Sequence, residues 1–378
     1  MTQAYSTDIV IFGGGVAGLW LLNRLRNEGY DAILLESRTL GGGQTIASQG
    51  IIHGGLKYAI SGSLSGAASA TAKMPQRWRD CLAGNGDVNL QNCEILHDHY
   101  YMWSDSGLRS KLKTFLGSKS LVGRVEAVSA ADYPDFFKHT TAKGSLYKLP
   151  DFVVNTNSLI RTLSSNYSNS IFKVDSKRVR FKTDDDGNIN CVAIASDDQN
   201  LNINCQRVIF CAGEGNQGLI KKAGLEKPKT QIRPLKMVYV KKPDLPQLYV
   251  HCIGDSFSLT PNLTVTSHTD SYGAVVWYLG GELAEAGTKR DDAEQIAAAQ
   301  KQVHAIFPWV DLSDAVWNCF MINRAEPDVA NSFRPDDAYF LEEKHAIVAW
   351  PTKLTLSPSL ADKLIKHLQQ QAVVPMTY

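Results

Sequence analysis

The stretch Asp8-Ile-Val-Ile-Phe-Gly13-Gly-Gly-Val-Ala-Gly18, followed by Leu19 to Gly29 and then Asp31-Ala-Ile-Leu-Leu-Glu36, decides the fold. An apolar strand enters a glycine turn, a helical pattern follows, and a second apolar strand ends in an acid. In that order the G-x-G-x-x-G spacing points to a dinucleotide-binding βαβ unit. Gly13 permits the tight turn, Gly15 lets the backbone approach a pyrophosphate, and Gly18 lets the helix pack closely on the sheet. Gly14, Val16 and Ala17 complete the turn. The helix start offers unpaired N–H groups and partial positive charge to phosphate. Glu36 is placed to accept hydrogen bonds from a ribose, with Ser37 and Arg38 beside it.

The rest of the 378-residue chain bounds the reading. That length exceeds one ordinary core and implies two domains or a large insertion. A net charge of +1 gives no reason to expect a nucleic-acid partner. The seven cysteines form no C-x-x-C pair, which argues against a disulfide framework or a structural zinc and for buried thiols in a reducing compartment. No signal peptide or membrane span is visible, so a cytoplasmic protein is expected. Peripheral membrane contact is compatible with the sequence, but nothing in it calls for such contact.

Further along, strand patterns appear at Tyr100–Trp103, Ile171–Phe181, Ile189–Ala195 and Arg207–Cys211. The last runs into Ala212-Gly213-Glu214-Gly215, small residues suited to a second backbone approach to a dinucleotide. Alternation from Ile232 to Trp277 suggests antiparallel strands, and Asp291–Phe307 reads as a helix. The tail from Ala346 to Leu368 reads as a strand, a turn and a final helix. The fold class expected is α/β, α+β overall. A discontinuous Rossmann-like nucleotide domain (1–85, 151–227 and 326–378) accompanies a mainly antiparallel substrate domain (86–150 and 228–325).

A second glycine cluster, Gly41-Gly-Gly-Gln44-Thr45-Ile-Ala47-Ser48-Gln49-Gly50-Ile-Ile-His53-Gly-Gly-Leu-Lys57-Tyr58, exceeds what an NAD domain needs. It resembles the FAD-dependent D-amino-acid oxidase superfamily, in particular its glycerol-3-phosphate dehydrogenase and 2-hydroxyglutarate oxidase branches. The Arg207–Gly213 strand is similar to the family's second nucleotide-contact strand. Val179 falls where the family binds adenine through a valine backbone. Trp350-Pro-Thr-Lys353-Leu354-Thr355 resembles the closing Gly-Gly-Lys-x-Thr-Thr segment, with Pro351-Thr352 in place of the paired glycines.

The resemblance implies non-covalent FAD, held by Gly13, Gly15, Gly18, Glu36, Gln44, Thr45, Ala47, Ser48, Gln49, Gly50, Val179, Ala212, Gly213, Gly215, Lys353, Leu354 and Thr355. Lys353 would face the flavin edge that becomes anionic on reduction. His53 is the candidate general base. Lys57 stands where glycerol-phosphate dehydrogenases carry an arginine, keeping the charge without the bidentate fork. Arg324, ahead of Pro327-Asp328, and Arg334, in Phe333-Arg-Pro-Asp336, are candidate anion clamps. Tyr58 and His251 are further candidates for the substrate pocket, whereas Tyr249 and His268 read better as ordinary strand residues.

The expected activity is FAD-dependent oxidation of a small polar, anionic hydroxy compound, with oxygen, a quinone or a protein as compatible electron acceptors. An amine or amino-acid oxidase of the same superfamily is the alternative. A non-catalytic binding protein on this fold, of the Rab GDP-dissociation inhibitor kind, is more remote. A disulfide reductase is disfavoured because no C-x₄-C pair follows the first βαβ unit.

Overall fold

A computed structural model describes residues 2–55, 71–105, 125–139, 144–195, 199–254, 261–329 and 335–376. Two eight-stranded sheets and one of three strands make up its β structure.

The first sheet is built on the strand Thr2–Phe12, which pairs in parallel with Ala32–Glu36 on one side and Asn200–Phe210 on the other. Ile171–Lys173 extends it beyond Ala32–Glu36. Asn200–Phe210 carries two further neighbours on its other edge. Its first half pairs antiparallel with Ile189–Ile194, and its last residues pair in parallel with Ala346–Trp350. The apolar run Ile9 to Phe12 is buried on both faces, as a central parallel strand requires. Ile9 and Ile11 join a core with Leu19, Trp20, Leu159, Leu163, Leu360 and Leu364. Val10 and Phe12 join an opposite core with Val192, Phe210, Val348 and Trp350. Helices Val16–Asn27, Thr156–Asn166 and Ser357–Gln370 supply the first of these cores.

Several sequence expectations change at this level. The first strand starts at Thr2 rather than Asp8, because its exposed end pairs with Asn200–Asn204. The helix starts at Val16 rather than Leu19, so Gly18 lies inside its first turn. The segment Ile171–Phe181 is not one strand; a 3₁₀ turn at Ser176–Arg178 divides it, and Val179 opens a hairpin strand. The expected helix at Asp291–Phe307 spans Asp292–Ile306, with Asp291 and Glu294 forming a reciprocal capping box.

The second sheet runs in the order Val316–Pro327, Thr230–Lys241, Val275–Gly280, Leu263–Thr269, Tyr249–Ile253, Tyr100–Asp105, Gly144–Leu149 and Glu126–Ala127. All neighbours are antiparallel except Tyr249–Ile253 with Tyr100–Asp105. One face packs Val238, Val240, Val265, Trp277 and Leu279 against Ala299, Val303 and Phe307. The opposite face is aromatic and polar. Tyr239, Tyr278 and Phe320 lie together there, with His268 against Tyr278. A small sheet of Ile51–Ile52, Phe152–Val154 and Ile95–His97 stands beside the two large ones. All seven cysteines are free, and six are buried. No helix among the described residues is long and apolar enough to cross a membrane.

Helix Val16–Asn27 is tied to its neighbours by charge. Arg24 and Arg77 both reach Asp87 and Asp362. Burial by itself would raise the Asp87 carboxyl. The hydrogen bond from Arg77 and the charges of Arg77 and Arg24 outweigh it and hold the group below its usual range. A carboxylate with a depressed folded pKa contributes stability above its unfolded pKa, near 3.9, and loses it as pH falls through the folded value. Asp87→Asn should therefore cost about 2 kcal/mol at neutral pH by stripping two guanidinium groups of a partner. The deficit should shrink below about pH 4. Urea unfolding followed across pH measures both effects.

Candidate functional site

The nucleotide end of the first sheet is shaped by close backbone approaches. Gly13 has φ +107°, and a Cβ there would stand 2.6 Å from Ala212 Cα and from the Cys211 carbonyl oxygen. Only glycine brings the two strand ends this close. A Cβ on Gly18 would overlap the Gly13 carbonyl oxygen, so the helix packs against its own entering turn. Gly15 differs, because its φ of −80° suits any residue and the nearest atom to an added Cβ is Thr45 Oγ1 at 3.3 Å. Gly15 is the N-cap and has no side chain with which to cap the helix, and no acid lies in the first turn. A helix N-terminus behind a glycine, free of acids, is an anion site.

Glu36 closes this end. Its Oε2 accepts the Gly14 N–H at 2.6 Å and its Oε1 accepts the Arg38 N–H at 2.6 Å. A carboxylate has about four acceptor positions, so capacity for ribose hydroxyls remains. Thr45 Oγ1 accepts the Val16 N–H at 3.1 Å, which pins the second glycine cluster onto the helix start. Ala47 and Ser48 lie in the same turn, Ser48 Oγ donating to the Thr45 carbonyl at 2.8 Å. Gly50 has φ +70° and passes against Val154. Gly213 has φ +56°. Gly215 precedes Asn216, a fully buried residue whose Oδ1 accepts the Ala212 N–H at 2.8 Å. Nothing in the local sequence marked Asn216 as the support of this turn. Val179 is buried at the start of its strand; upstream, the Val174 N–H donates to the Glu36 carbonyl at 2.9 Å.

Two glutamines of the second glycine cluster reach the second sheet. Gln44 Oε1 accepts the Ala325 N–H at 3.1 Å. Gln49 Nε2 donates to Thr266 Oγ1 at 2.9 Å and to the Tyr278 carbonyl at 3.1 Å. Gln49 therefore has its side-chain amide in the seam between the sheets. Thr355 is also turned inward. Its Oγ1 accepts the His53 N–H at 2.8 Å and donates to the Ile51 carbonyl at 3.4 Å. Beside Lys353 and Leu354, Thr352 takes φ +61°. The left-handed backbone suited to glycine thus persists where the related segment has one.

His53 lies at this seam. Its Nδ1 stands 3.1 Å from Asp151 Oδ2, while Asp151 Oδ1 accepts the Gly54 N–H at 2.9 Å. Asp151 is 3% exposed, so this carboxylate is held rather than solvated. The His251 ring lies nearly parallel to that of His53, 5.8 Å away, with its Nδ1 2.9 Å from Thr264 Oγ1 and Tyr100 at its side. Sequence reasoning found His53 and His251 and missed Asp151 and Thr264. Asp151 is 98 residues from His53 in the chain.

Arg324 is not brought to this pair. It lies on the edge strand Val316–Pro327, and His251 lies on Tyr249–Ile253, four strands away in the sheet. At ordinary strand spacing that is roughly 15–20 Å. Arg324 Nε donates to the Arg233 carbonyl at 3.2 Å, and its Nη2 lies 3.8 Å from Glu285. Tyr249 is buried; burial of His268 lowers its pKa to about 4 and keeps it neutral. Lys57, Tyr58 and Arg334 lie outside the described residues.

A glycine turn over a helix start, joined to a second sheet across a seam that holds a carboxylate–imidazole pair, defines a dinucleotide-dependent oxidoreductase class. Residues 8–349 match the DAO family of FAD-dependent oxidoreductases, and the chain belongs to that family. It is 43% identical over 376 residues to the probable FAD-dependent oxidoreductase PA4991 of Pseudomonas aeruginosa, covering 99% of this chain and 94% of that one. The crystal structure of PA4991 superposes with a TM-score of 0.85 at 39% identity, over 100% of this chain and 94% of the other. Glycine oxidase from Geobacillus kaustophilus shares the fold at TM-score 0.69 and 14% identity, covering 99% and 96% of the two chains. So does FAD-bound L-α-glycerophosphate oxidase from Mycoplasma pneumoniae, at TM-score 0.69 and 12% identity, with 96% and 95% covered.

The cradle fits FAD: a glycine N-cap without a side chain, a helix N-terminus with no acid in its first turn, and acceptor capacity on Glu36. Gly15→Ala should fold normally but bind FAD at least tenfold more weakly, since its methyl occupies the phosphate approach. Gly18→Ala should lose both stability and flavin, because helix and turn must separate. Flavin content of the purified variants and their thermal unfolding distinguish the two cases.

Proposed function

We propose that this protein oxidises the hydroxyl-bearing carbon of a small polar hydroxy compound, of the hydroxy-acid or polyol-phosphate class, with FAD held non-covalently. The Asp151–His53 pair carries the reading. An ionised carboxylate only accepts hydrogen bonds, so Asp151 assigns the hydrogen to His53 Nδ1 and leaves the lone pair on Nε2. That imidazole is a base in the tautomer needed to take a proton, with a buried carboxylate against its far nitrogen. An amine reaches its reactive neutral form by losing a proton to water. A hydroxyl holds its proton much more tightly and needs a base beside the carbon being oxidised.

When bound, the flavin supplies the electron sink, accepting a hydride at N5. His53 would remove the hydroxyl proton at Nε2, Asp151 would hold the imidazolium in place, and His251 would orient the substrate oxygen from the parallel ring. The anionic half of the substrate is assigned to Lys57, four residues beyond His53 in the chain. Arg324 stands on the edge strand of the second sheet, four strands from that of His251, so this role is given to Lys57 instead.

Anaerobic mixing with a panel of hydroxy acids, polyol phosphates and amino acids tests the class through loss of flavin absorbance. Hydroxy compounds should bleach the flavin; bleaching by amino acids alone overturns the proposal. His53→Gln and Asp151→Asn should each slow flavin reduction by about 10²–10⁴-fold and flatten its pH profile. Acid precipitation should release all of the flavin into the supernatant.

A further inference from the structure

The tripeptide His97-Asp98-His99 links the small sheet to strand Tyr100–Asp105 of the second sheet. One ring nitrogen of each histidine and one carboxylate oxygen of Asp98 lie within 4.8 Å of one another. His97 Nδ1 stands 2.6 Å from the His99 carbonyl oxygen, and His99 Nδ1 is hydrogen-bonded to the Asp98 carboxylate. Both oxygens can only accept, so each Nδ1 carries the hydrogen and each Nε2 carries the lone pair. Imidazoles that ligate metals are oriented in this way, by an oxygen on the far ring nitrogen.

The rings are also fixed by packing. Their centroids are 4.4 Å apart; His97 stacks on Tyr249 at 4.5 Å, and His99 meets Tyr101 edge-on at 4.7 Å. His99 Nε2 is closed off from solvent and has no hydrogen-bond partner among the described residues. A buried lone pair without a donor is unusual, and a metal ion would satisfy it. Lys148 lies close enough to act on the Asp98 charge, and Arg79 donates to the Asp98 carbonyl. One carboxylate among such cations does not suit calcium or magnesium, which need many oxygens. Imidazole nitrogen suits zinc, copper or nickel.

We propose that this tripeptide is a binding site for a divalent transition-metal ion of the zinc class. The two imidazoles are its ligands, and Asp98 orients His99. The site stands close behind the His53 pair. Val153, paired with His97, is two residues from Asp151, and Tyr249 is two residues from His251.

Titration calorimetry of the metal-free, flavin-loaded protein with zinc chloride tests the assignment. One ion per chain should bind in the micromolar range, and His97→Gln and His99→Gln should each weaken it at least tenfold. His53→Gln should leave zinc affinity unchanged. Circular dichroism and flavin absorbance check folding, and the partly exposed His97 variant guards against misfolding at His99. Absence of zinc uptake overturns the proposal. Binding that survives both tripeptide variants but fails in His53→Gln also overturns it, assigning the ion to the His53–Asp151–His251 cluster instead.

Discussion

The meeting of Gly13 with Cys211 and Ala212 is the constraint from which the rest follows. Two parallel strands end side by side, and a side chain at Gly13 would force them apart. Because they stay close, the helix can start immediately and its first turn can rest on the Gly13 carbonyl. That leaves a row of backbone donors at the sheet's end, bordered by Glu36 and Thr45. The anion-binding character of this end is therefore a result of backbone packing, not of basic side chains.

The second glycine cluster carries that constraint outward. Thr45 bonds to the helix start, while Gln44 and Gln49, on either side of it, bond to the other large sheet. One short segment thus fixes the distance between the nucleotide end and the aromatic face of the second sheet. His53 follows four residues after Gln49 and is held on three sides, by Thr355 at its backbone, Asp151 at its ring and His251 alongside. The position of the base depends on the same contacts that hold the sheets together.

The sequence disclosed what is local. The glycine turn, Glu36 and the apolar strands are contiguous patterns with a direct physical reading. The helix start was misplaced because Gly15 offers no side-chain cap, so the usual Ser, Thr, Asp or Asn signal was missing. Asp151 was not legible because its pairing with His53 is set by the small sheet, where Phe152 stands opposite Ile52. Residue type named both Arg324 and His53 as candidates but says nothing about how many strands intervene between Arg324 and His251. The inward roles of Gln49 and Thr355 were hidden for a related reason: pattern locates a segment but not the direction in which its side chains turn.

Asp151 spends one oxygen on the His53 ring and the other on the backbone of Gly54. Chemistry and chain path therefore hang on a single side chain. This limits how such a protein can adapt. Lengthening the carboxylate shifts the imidazole and the backbone together, and removing its charge alters both bonds at once. Among the described residues, the other neighbours of His53, Thr355 at the backbone and His251 alongside the ring, are less tightly tied to both. In a lineage descending from this chain, those positions should drift before Asp151 does.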